Sequence, residues 1–330
     1  MKYPNPTSMK TPRCDWLTPL ELVALGAIWG GSFLCQRVAA GDFGAFPLVE
    51  MRLLLGSVIL LPFLWRARHA ITRRHWMNLA LVGALNSAIP FVLFAWAAER
   101  SPAGVGAIAN SMTVLFAALV GFAAYGERIG LLRAIALLAG FAGVVVLASG
   151  RTAGGHLALP VLAGVAGAFC YGVAVNLTRH RLADVPPVAA VAGTLGCSTL
   201  MVLPLAAATW PAHAIPTASW YAGGVLGIVC TGIGFVLYFR LIQRVGAARA
   251  ATSTYLVPIF GIAWAWLLLG ERPTTAMIAS AALIVGSVIL SQREAPAPKR
   301  ARRAPQTPAH ARADRRAGRS DSAGRRAARR

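Results

Sequence analysis

The stretch from Gly223 to Arg272 reads GGVLGIVCTGIGFVLYFRLIQRVGAARAATSTYLVPIFGIAWAWLLLGER and holds two long apolar runs joined by a short basic linker. Part of this pattern occurs 144 positions earlier in the chain, without a gap. The residues identical at this one offset are Gly83 and Gly227, Ile89 and Ile233, Phe91 and Phe235, Val92 and Val236, Leu93 and Leu237, Arg100 and Arg244, Phe116 and Phe260, Gly126 and Gly270, Glu127 and Glu271, and Arg128 and Arg272. So many matches at a fixed offset indicate an internal duplication.

The composition around this stretch is that of a membrane protein. Of the 330 residues, 57% are apolar and only 13% are charged, whereas about 25% of a soluble domain is charged. Apolar runs of about 20 residues recur, each long enough to cross a hydrocarbon core of about 30 Å as a helix. The short alternating segments of a membrane β-barrel do not occur. The chain is therefore predicted to be an all-α polytopic membrane protein.

Ten transmembrane helices are predicted, five in each half. They fall at about 17–39, 46–65, 77–98, 103–125, 131–149, 157–177, 187–209, 219–241, 248–269 and 275–291. The first span is too long for the apolar region of a signal peptide and is read as an uncleaved helix. An odd number of helices per half makes the second copy enter the membrane from the opposite side, so the repeats, 17–150 and 151–291, are expected to be inverted.

Basic residues predict the orientation. With the N-terminus in the cytoplasm, segments on that side hold 14 Arg and Lys residues before the tail, against four on the other side. Both termini, the segment 1–16 and the tail 292–330, are therefore predicted to be cytoplasmic. The tail carries 13 basic residues against three acidic ones. It is expected to be disordered and to lie near anionic membrane lipid, and it has no aromatic residue on which nucleic-acid bases could stack.

Several motifs carry a resemblance to a known family. They are IWGGSF at 28–33, TGIGFVLYFRLIQRVGA at 231–247, and a span with Pro258 at its middle that ends in GER at 270–272. Together with the doubled set of five spans, they resemble the EamA-type transporters of the drug/metabolite transporter superfamily. One departure is Val114 at the position equivalent to Pro258. The resemblance implies a multi-pass protein of the bacterial inner membrane that exports or exchanges small metabolites, commonly amino acids or drug-like solutes.

Polar and aromatic residues near the middle of the spans are candidates for a substrate cavity, because the binding site of inverted-repeat transporters lies near the midplane. The candidates are Trp29, Ser32, Asn86, Asn110, Tyr171, Thr231, Tyr238 and Tyr255. The competing interpretation is interhelical hydrogen bonding, which such side chains supply in any helical bundle.

Four charged residues are candidates for coupling or gating. Glu50 and Arg52 lie two residues apart in the second span, so they point to different sides of a helix and do not pair with each other. Glu50 is a candidate proton-coupling carboxylate and Arg52 a candidate anchor for a substrate carboxylate; a structural pair with another helix is the alternative. Glu127 and Glu271 close the fourth and ninth spans and are expected to act in gating, unless they are only solvated helix ends.

Enzymatic chemistry has little support in the sequence. It contains no H-E-x-x-H, G-x-S-x-G or Walker A motif, and the six His residues are expected to lie in loops or the tail. The five Cys residues have no paired spacing and are interpreted as small apolar residues. No cofactor and no metal are expected, and ATP-driven transport is excluded for this chain alone.

The sequence with its resemblance thus predicts a secondary transporter that works by alternating access and exports a small organic metabolite, amino-acid-like or drug-like. An importer or exchanger of the same fold, and a membrane scaffold or sensor without transport, are the alternatives. Substrate identity, coupling to protons and the choice between monomer and homodimer stay open.

Overall fold

The computed structural model describes residues 17–152 and 155–293, and most of these are helical. Numbered in chain order, the helices are α1 Leu17–Phe43, α2 Ala45–Ala67, α3 Arg73–Arg100, α4 Ala103–Tyr125, α5 Leu131–Ser149, α6 Ala158–Arg181, α7 Pro187–Ala208, α8 Thr217–Val245, α9 at 247–269 and α10 Thr275–Arg293. A two-residue antiparallel pair, β1 Arg151–Thr152 and β2 Gly155–His156, connects α5 to α6.

The predicted spans are found in the structure. Within the described residues, nine helices are long and apolar enough to cross a membrane. The apolar part of α9, Val257–Leu269, is shorter because the preceding residues form a short helix, Ala247–Ala250, and a 3-10 turn, Ala251–Tyr255. The segment 1–16 and residues 294–330 of the predicted tail lie outside the described residues, whereas residues 292 and 293 belong to the end of α10.

Two helices contain π-helical turns at equivalent positions. In α3 the turn covers Ala84–Ala88, and in α8 it covers Leu226–Ile233. Pro90 lies two residues after the end of the first turn and has no N–H to donate to a carbonyl of that turn. The two distorted turns are 144 positions apart to within a few residues, so the repeat seen in the sequence extends to an unusual backbone geometry.

The fourth and ninth helices also share their interruption and their end. The regular parts, Thr113–Tyr125 and Val257–Leu269, match at the 144-residue offset at both ends. Each is closed by a glycine in the left-handed region, Gly126 with φ 66° and Gly270 with φ 67°. This conformation is open to glycine at little cost and stops a helix. Glu127 and Glu271 therefore lie just beyond the helix ends.

Close packing at glycines joins the two halves. A Cβ atom on Gly30 in α1 would lie 2.6 Å from the Cβ of Phe260 in α9. A Cβ on Gly172 in α6 would lie 2.7 Å from that of Phe116 in α4. Since lipid gives apolar helices no reason to associate, such close backbone approach is a main source of contact energy between them. The two contacts are equivalent, and each crosses from one half of the chain to the other.

The bundle is apolar on its outside as well as inside. Leu53, Leu60 and Ile108 are fully buried in its interior. On the outside, Leu138, Val145 and Leu200 expose about 70% of their surface. An exterior of this kind is what hydrocarbon requires, whereas the exterior of a soluble monomer rarely carries large contiguous apolar patches.

Candidate functional site

Arg52 lies in the interior of the bundle and is 9% exposed. It is the eighth residue of α2, on the helix face that packs against α8, where Gly56 one turn later lets Thr231 approach. The Arg52 Nε donates a hydrogen bond of 3.0 Å to the hydroxyl of Thr231. That hydroxyl in turn donates to the carbonyl of Leu226, 2.9 Å away, within the π-helical turn. The Arg52 side chain therefore points into the bundle.

Aromatic rings surround this guanidinium and the neighbouring interior. The Arg52 Cζ lies 3.6 Å from the centre of the Phe91 ring, a cation–π contact. Tyr171 in α6 stacks on Phe94 at 6.0 Å between ring centres, and its phenol lies within electrostatic range of Arg52. Phe33 packs edge-on against Phe94 at 5.6 Å. The rings of α1, α3 and α6 thus form one continuous wall.

Four of the predicted cavity residues, Trp29, Asn86, Thr231 and Tyr238, lie on helices that pack around α2 and Arg52. Trp29 in α1 lies 5.2 Å from Tyr238 in α8, ring centre to ring centre, beside the apolar cluster that includes Phe33, Phe94 and Tyr171. Asn86 is half-buried and lies in the π-helical turn of α3. Arg52 and Thr231 are bonded to each other, as described above. These residues are contributed by α1, α2, α3, α6 and α8 together.

The remaining predicted cavity residues are placed elsewhere or are already satisfied. Ser32 is buried, and its hydroxyl donates to the Trp29 carbonyl of its own helix at 2.6 Å. Asn110 is the last residue of the first helical piece of α4. Tyr255 packs against a separate apolar cluster that contains Met112 and Ile284.

Glu50 is buried on a different face of α2 from Arg52. It is 6% exposed, and neither carboxylate oxygen has a hydrogen-bond partner. Ser57, seven residues later and therefore on the same face, is hydrogen-bonded to Thr199 of α7 at 3.2 Å. Glu50 thus lies on the side of α2 that faces α7. A buried carboxyl group without a partner is costly as an anion, which makes its neutral form the more favourable one in this position.

The two C-terminal glutamates each hold an arginine from the other half of the chain. Glu271, after α9, forms an ion pair of 2.9 Å with Arg37 of α1. Glu127, after α4, forms an ion pair of 3.2 Å with Arg179 of α6. The two arginines are themselves at equivalent positions, 142 residues apart. We call these contacts the Glu271 latch and the Glu127 latch.

The two latches differ in how tightly they are held. At the Glu271 latch, the second carboxylate oxygen accepts the backbone N–H of Ala103 at 2.9 Å, and Arg37 also donates to the carbonyl of Ala98 at 3.0 Å. The side chains of the Glu127 latch are more exposed, 59% for Arg179 and 34% for Glu127. Beside it, Tyr125 stacks on His180 at 4.0 Å. The first contact is a half-buried network and the second a single, more solvated pair.

Sequence reasoning missed Arg37 and Arg179 as functional candidates. Their spacing of 142 differs by two from the offset of the other matches, so a search at 144 does not find them. It also missed Phe91, the ring under Arg52, and Gln36 and Ser87, which are buried and each carry an oxygen without a partner. Among residues 17–152 and 155–293, no three His, Cys, Asp or Glu side chains are grouped so that they could hold a metal ion.

A family model identifies the fold from the sequence. The model for the EamA-like transporter family matches this chain twice, over residues 18–149 and 158–292. The chain belongs to this family.

Curated relatives carry transporter names. A "Probable terminal-alkyne amino-acid exporter" of Streptantibioticus cattleyicolor is 28% identical over 292 residues, which cover 86% of this chain and 95% of the relative. A "Pseudopaline exporter CntI" of Pseudomonas aeruginosa is 24% identical and covers 78% of this chain and 89% of its own length. A "Probable amino-acid metabolite efflux pump" of Salmonella typhimurium is 24% identical, with 80% of this chain and 91% of the relative covered.

A solved crystal structure shares the fold. It matches with a TM-score of 0.59 at 20% identity and covers 84% of this chain and 96% of the other. The family and the relatives together make this EamA-like protein a membrane transporter of the drug/metabolite type, multi-pass in the bacterial inner membrane, for a small-molecule substrate. These are names of transporters rather than of enzymes.

Proposed function

We propose that this EamA-like transporter exports an amino-acid-like or drug-like metabolite by alternating access between two inverted five-helix repeats, residues 17–150 and 151–291. The observation that carries the proposal is the pair of latches. Each joins the end of a helix in one repeat to the end of a helix in the other, through residues at equivalent positions.

Helix direction supports the inverted arrangement. The N–H of Ala103, at the start of α4, is bonded to Glu271, which follows the end of α9. The start of one helix therefore meets the end of its equivalent, as expected if the two run in opposite directions. With the termini in the cytoplasm, as the distribution of Arg and Lys favours, the Glu271 latch lies on the outer side and the Glu127 latch on the cytoplasmic side.

Opposite positions of the latches suggest how they gate. Helix α4 spans the bundle between them, and 23 helical residues cover about 35 Å. An alternating cycle needs one contact to open while the other closes. The half-buried network at Glu271 and the more solvated pair at Glu127 fit a state that is closed on the outer side. Glu127 and Glu271 are accordingly proposed as gating residues.

The substrate is proposed to bind between the latches, against Trp29, Asn86, Tyr171 and Tyr238. These side chains come from both repeats and keep some exposure in an interior that is otherwise closely packed. Export is proposed because three relatives are named exporters or efflux pumps. Glu50, buried without a partner, is proposed as the residue that takes up and releases a proton during transport.

Efflux from cells tests this function. Cells that overproduce the protein are loaded with labelled amino acids and amine drugs, and release is compared with that from cells carrying the empty vector. The same experiment is run on Tyr171→Ala and Asn86→Ala at equal membrane abundance. Release of one solute class that falls at least tenfold in both variants supports an exporter with the proposed site. Uptake instead of release identifies an importer, and an absence of any solute movement favours a scaffold or sensor.

A further inference from the structure

We infer that Arg52 binds the carboxylate of the transported solute, so that the protein selects carboxylates over simple amines. The inference rests on the proposed transport function, because it names the substrate class for the same interior. It is carried by a cation that is buried, held in position and left without a counter-charge among the residues that the structure describes.

The positive charge of Arg52 is not neutralised within the described part of the chain. No Asp or Glu oxygen in residues 17–152 and 155–293 lies within ion-pair distance of it, and Glu50, two residues away, faces α7. A guanidinium has five N–H donors, and the hydrogen bond to Thr231 uses only the one on Nε. A buried cation costs free energy unless an anion and further hydrogen bonds compensate it. A bound carboxylate would supply both.

The guanidinium is held in a fixed orientation. Thr231 fixes the Nε side, and the Thr231 hydroxyl is itself fixed by Leu226. The Phe91 ring covers one face of the plane at 3.6 Å. The two terminal nitrogens remain as a planar fork, which matches the two oxygens of a carboxylate. Since Arg52 does not need to be ordered on binding, less of the interaction energy is lost.

The residues around the fork are neutral. Cys35 of α1 and Cys230 of α8 are buried in the same apolar cluster as Leu53, the residue that follows Arg52 in α2. Tyr171 offers a phenol on a third helix. Neutral polar groups do not compete with a carboxylate for the cation, and the aromatic wall suits an apolar or alkyl remainder of the solute.

The Arg52 site occurs in only one of the two repeats. The position equivalent to Arg52 in the second half is Thr194, whose hydroxyl donates to Val191 of its own helix. The position equivalent to Thr231 in the first half is Ser87, whose buried hydroxyl makes no hydrogen bond. Only one repeat therefore presents a charge, and one carboxylate per cycle is expected.

Binding to the purified full-length protein tests the inference. L-propargylglycine (a terminal-alkyne amino acid), L-leucine and L-phenylalanine are each compared with their carboxamides, which keep the amine and side chain but lack the negative charge. The midpoint of thermal unfolding is measured against ligand concentration for the wild type and for Arg52→Gln, Arg52→Lys and Thr194→Val. Thr194→Val is the matched control, at the equivalent depth in the other half.

At least one acid is expected to raise the unfolding midpoint, and its carboxamide is not. Arg52→Gln should weaken acid binding about 10- to 100-fold, as for loss of a charged hydrogen-bonded pair, while Thr194→Val binds like the wild type. Arg52→Lys keeps the charge without the fork and should bind the acid more weakly than the wild type while still rejecting the carboxamide. This variant keeps the test decisive if Arg52→Gln does not fold.

Three results would overturn the inference: equal binding of acid and carboxamide, unchanged acid binding by Arg52→Gln, or no binding of any of the three acids to the wild type. Efflux of the same acids separates this failure from failure of the proposed function. If Arg52→Gln exports the acids as well as the wild type does, Arg52 is not the carboxylate-binding residue, but the protein is still an exporter. If the acids bind in a way that depends on Arg52 but are not exported, Arg52 is the carboxylate-binding residue and the proposed export function is wrong.

Discussion

The hydroxyl groups of Ser57 in α2 and Thr199 in α7 are hydrogen-bonded to each other at 3.2 Å, and the two residues are 142 positions apart. This is also the spacing of the equivalent arginines Arg37 and Arg179. A residue that contacts its own equivalent lies on or beside the axis that relates the two halves. The crossing of α2 and α7 is therefore at the centre of the arrangement, whereas the two latches are at its ends.

This location predicts how crosslinks affect transport. In a variant without native cysteines, a disulfide between Ser57→Cys and Thr199→Cys should leave at least half of the efflux, because positions near the axis of a rocking motion move least. Bridging Arg37→Cys to Glu271→Cys with a short bifunctional thiol reagent should reduce efflux at least tenfold, because that end must open. Equal inhibition by both crosslinks would argue against rocking about this axis. Efflux by each double-cysteine variant before crosslinking provides the control.

Exchanging the two charges of the Glu271 latch should restore much of the efflux that a single charge reversal removes. Glu271→Arg alone places two cations together and should lower efflux about tenfold or more. The double variant Arg37→Glu with Glu271→Arg should recover a substantial part, although the N–H of Ala103 then loses its acceptor. Efflux at equal membrane abundance is the measurement.

The Glu127 latch is the matched comparison. Its side chains are largely solvated, and exposed ion pairs typically contribute about 0–1 kcal/mol. Arg179→Gln should therefore change the unfolding midpoint less than Arg37→Gln does. A larger loss of stability at Arg179 would show that exposure does not explain the difference between the latches.

Alanine at the glycines between the repeats should destabilise the fold. The new Cβ of Gly30→Ala would lie 2.6 Å from the Phe260 Cβ, and that of Gly172→Ala 2.7 Å from the Phe116 Cβ. Overpacking of this kind costs about 1–3 kcal/mol. Gly41→Ala in the same helix α1 meets no atom within 4 Å and should leave the unfolding midpoint unchanged or higher. A similar midpoint for Gly30→Ala and Gly41→Ala would contradict the close packing.

Replacing Glu50 separates proton coupling from substrate exchange. If Glu50 carries the proton, Glu50→Gln in proteoliposomes should lose transport driven by a pH gradient by at least tenfold. Exchange of labelled for unlabelled substrate across the membrane needs no net proton movement and should persist. Full gradient-driven transport by this variant would remove Glu50 as the coupling residue. Loss of both activities would assign it a structural role.

Much of the fold could be predicted from the sequence because its signals are long. An apolar run of about 20 residues is visible in composition alone, and the GER motifs marked the ends of α4 and α9 to within two residues. The direction of a side chain is a different matter. Arg52 and Glu50 are equally unexpected in an apolar run, and only the packing of α2 against α8 and α7 shows which helix each one faces.

The candidate site was predictable only in part. Trp29 and Tyr238, chosen for depth and residue type, are in contact. Tyr255, chosen by the same rule, packs elsewhere, because depth along a helix says nothing about the angle around it. Arg37 and Arg179 lie near helix ends, where an arginine is ordinary. Their role depends on partners 234 and 52 residues away in the chain.

The π-helical turns of α3 and α8 bear on the history of the chain. Proline would be the obvious cause of the distortion in α3, but the position equivalent to Pro90 in α8 is Gly234. The turn is present in both copies while the proline is present in one, so the turn of α8 is maintained without a proline. In α8 the N–H of Gly234 donates to the carbonyl of Val229, a hydrogen bond that Pro90 cannot make, so the two copies share the wide turn and differ in this one bond.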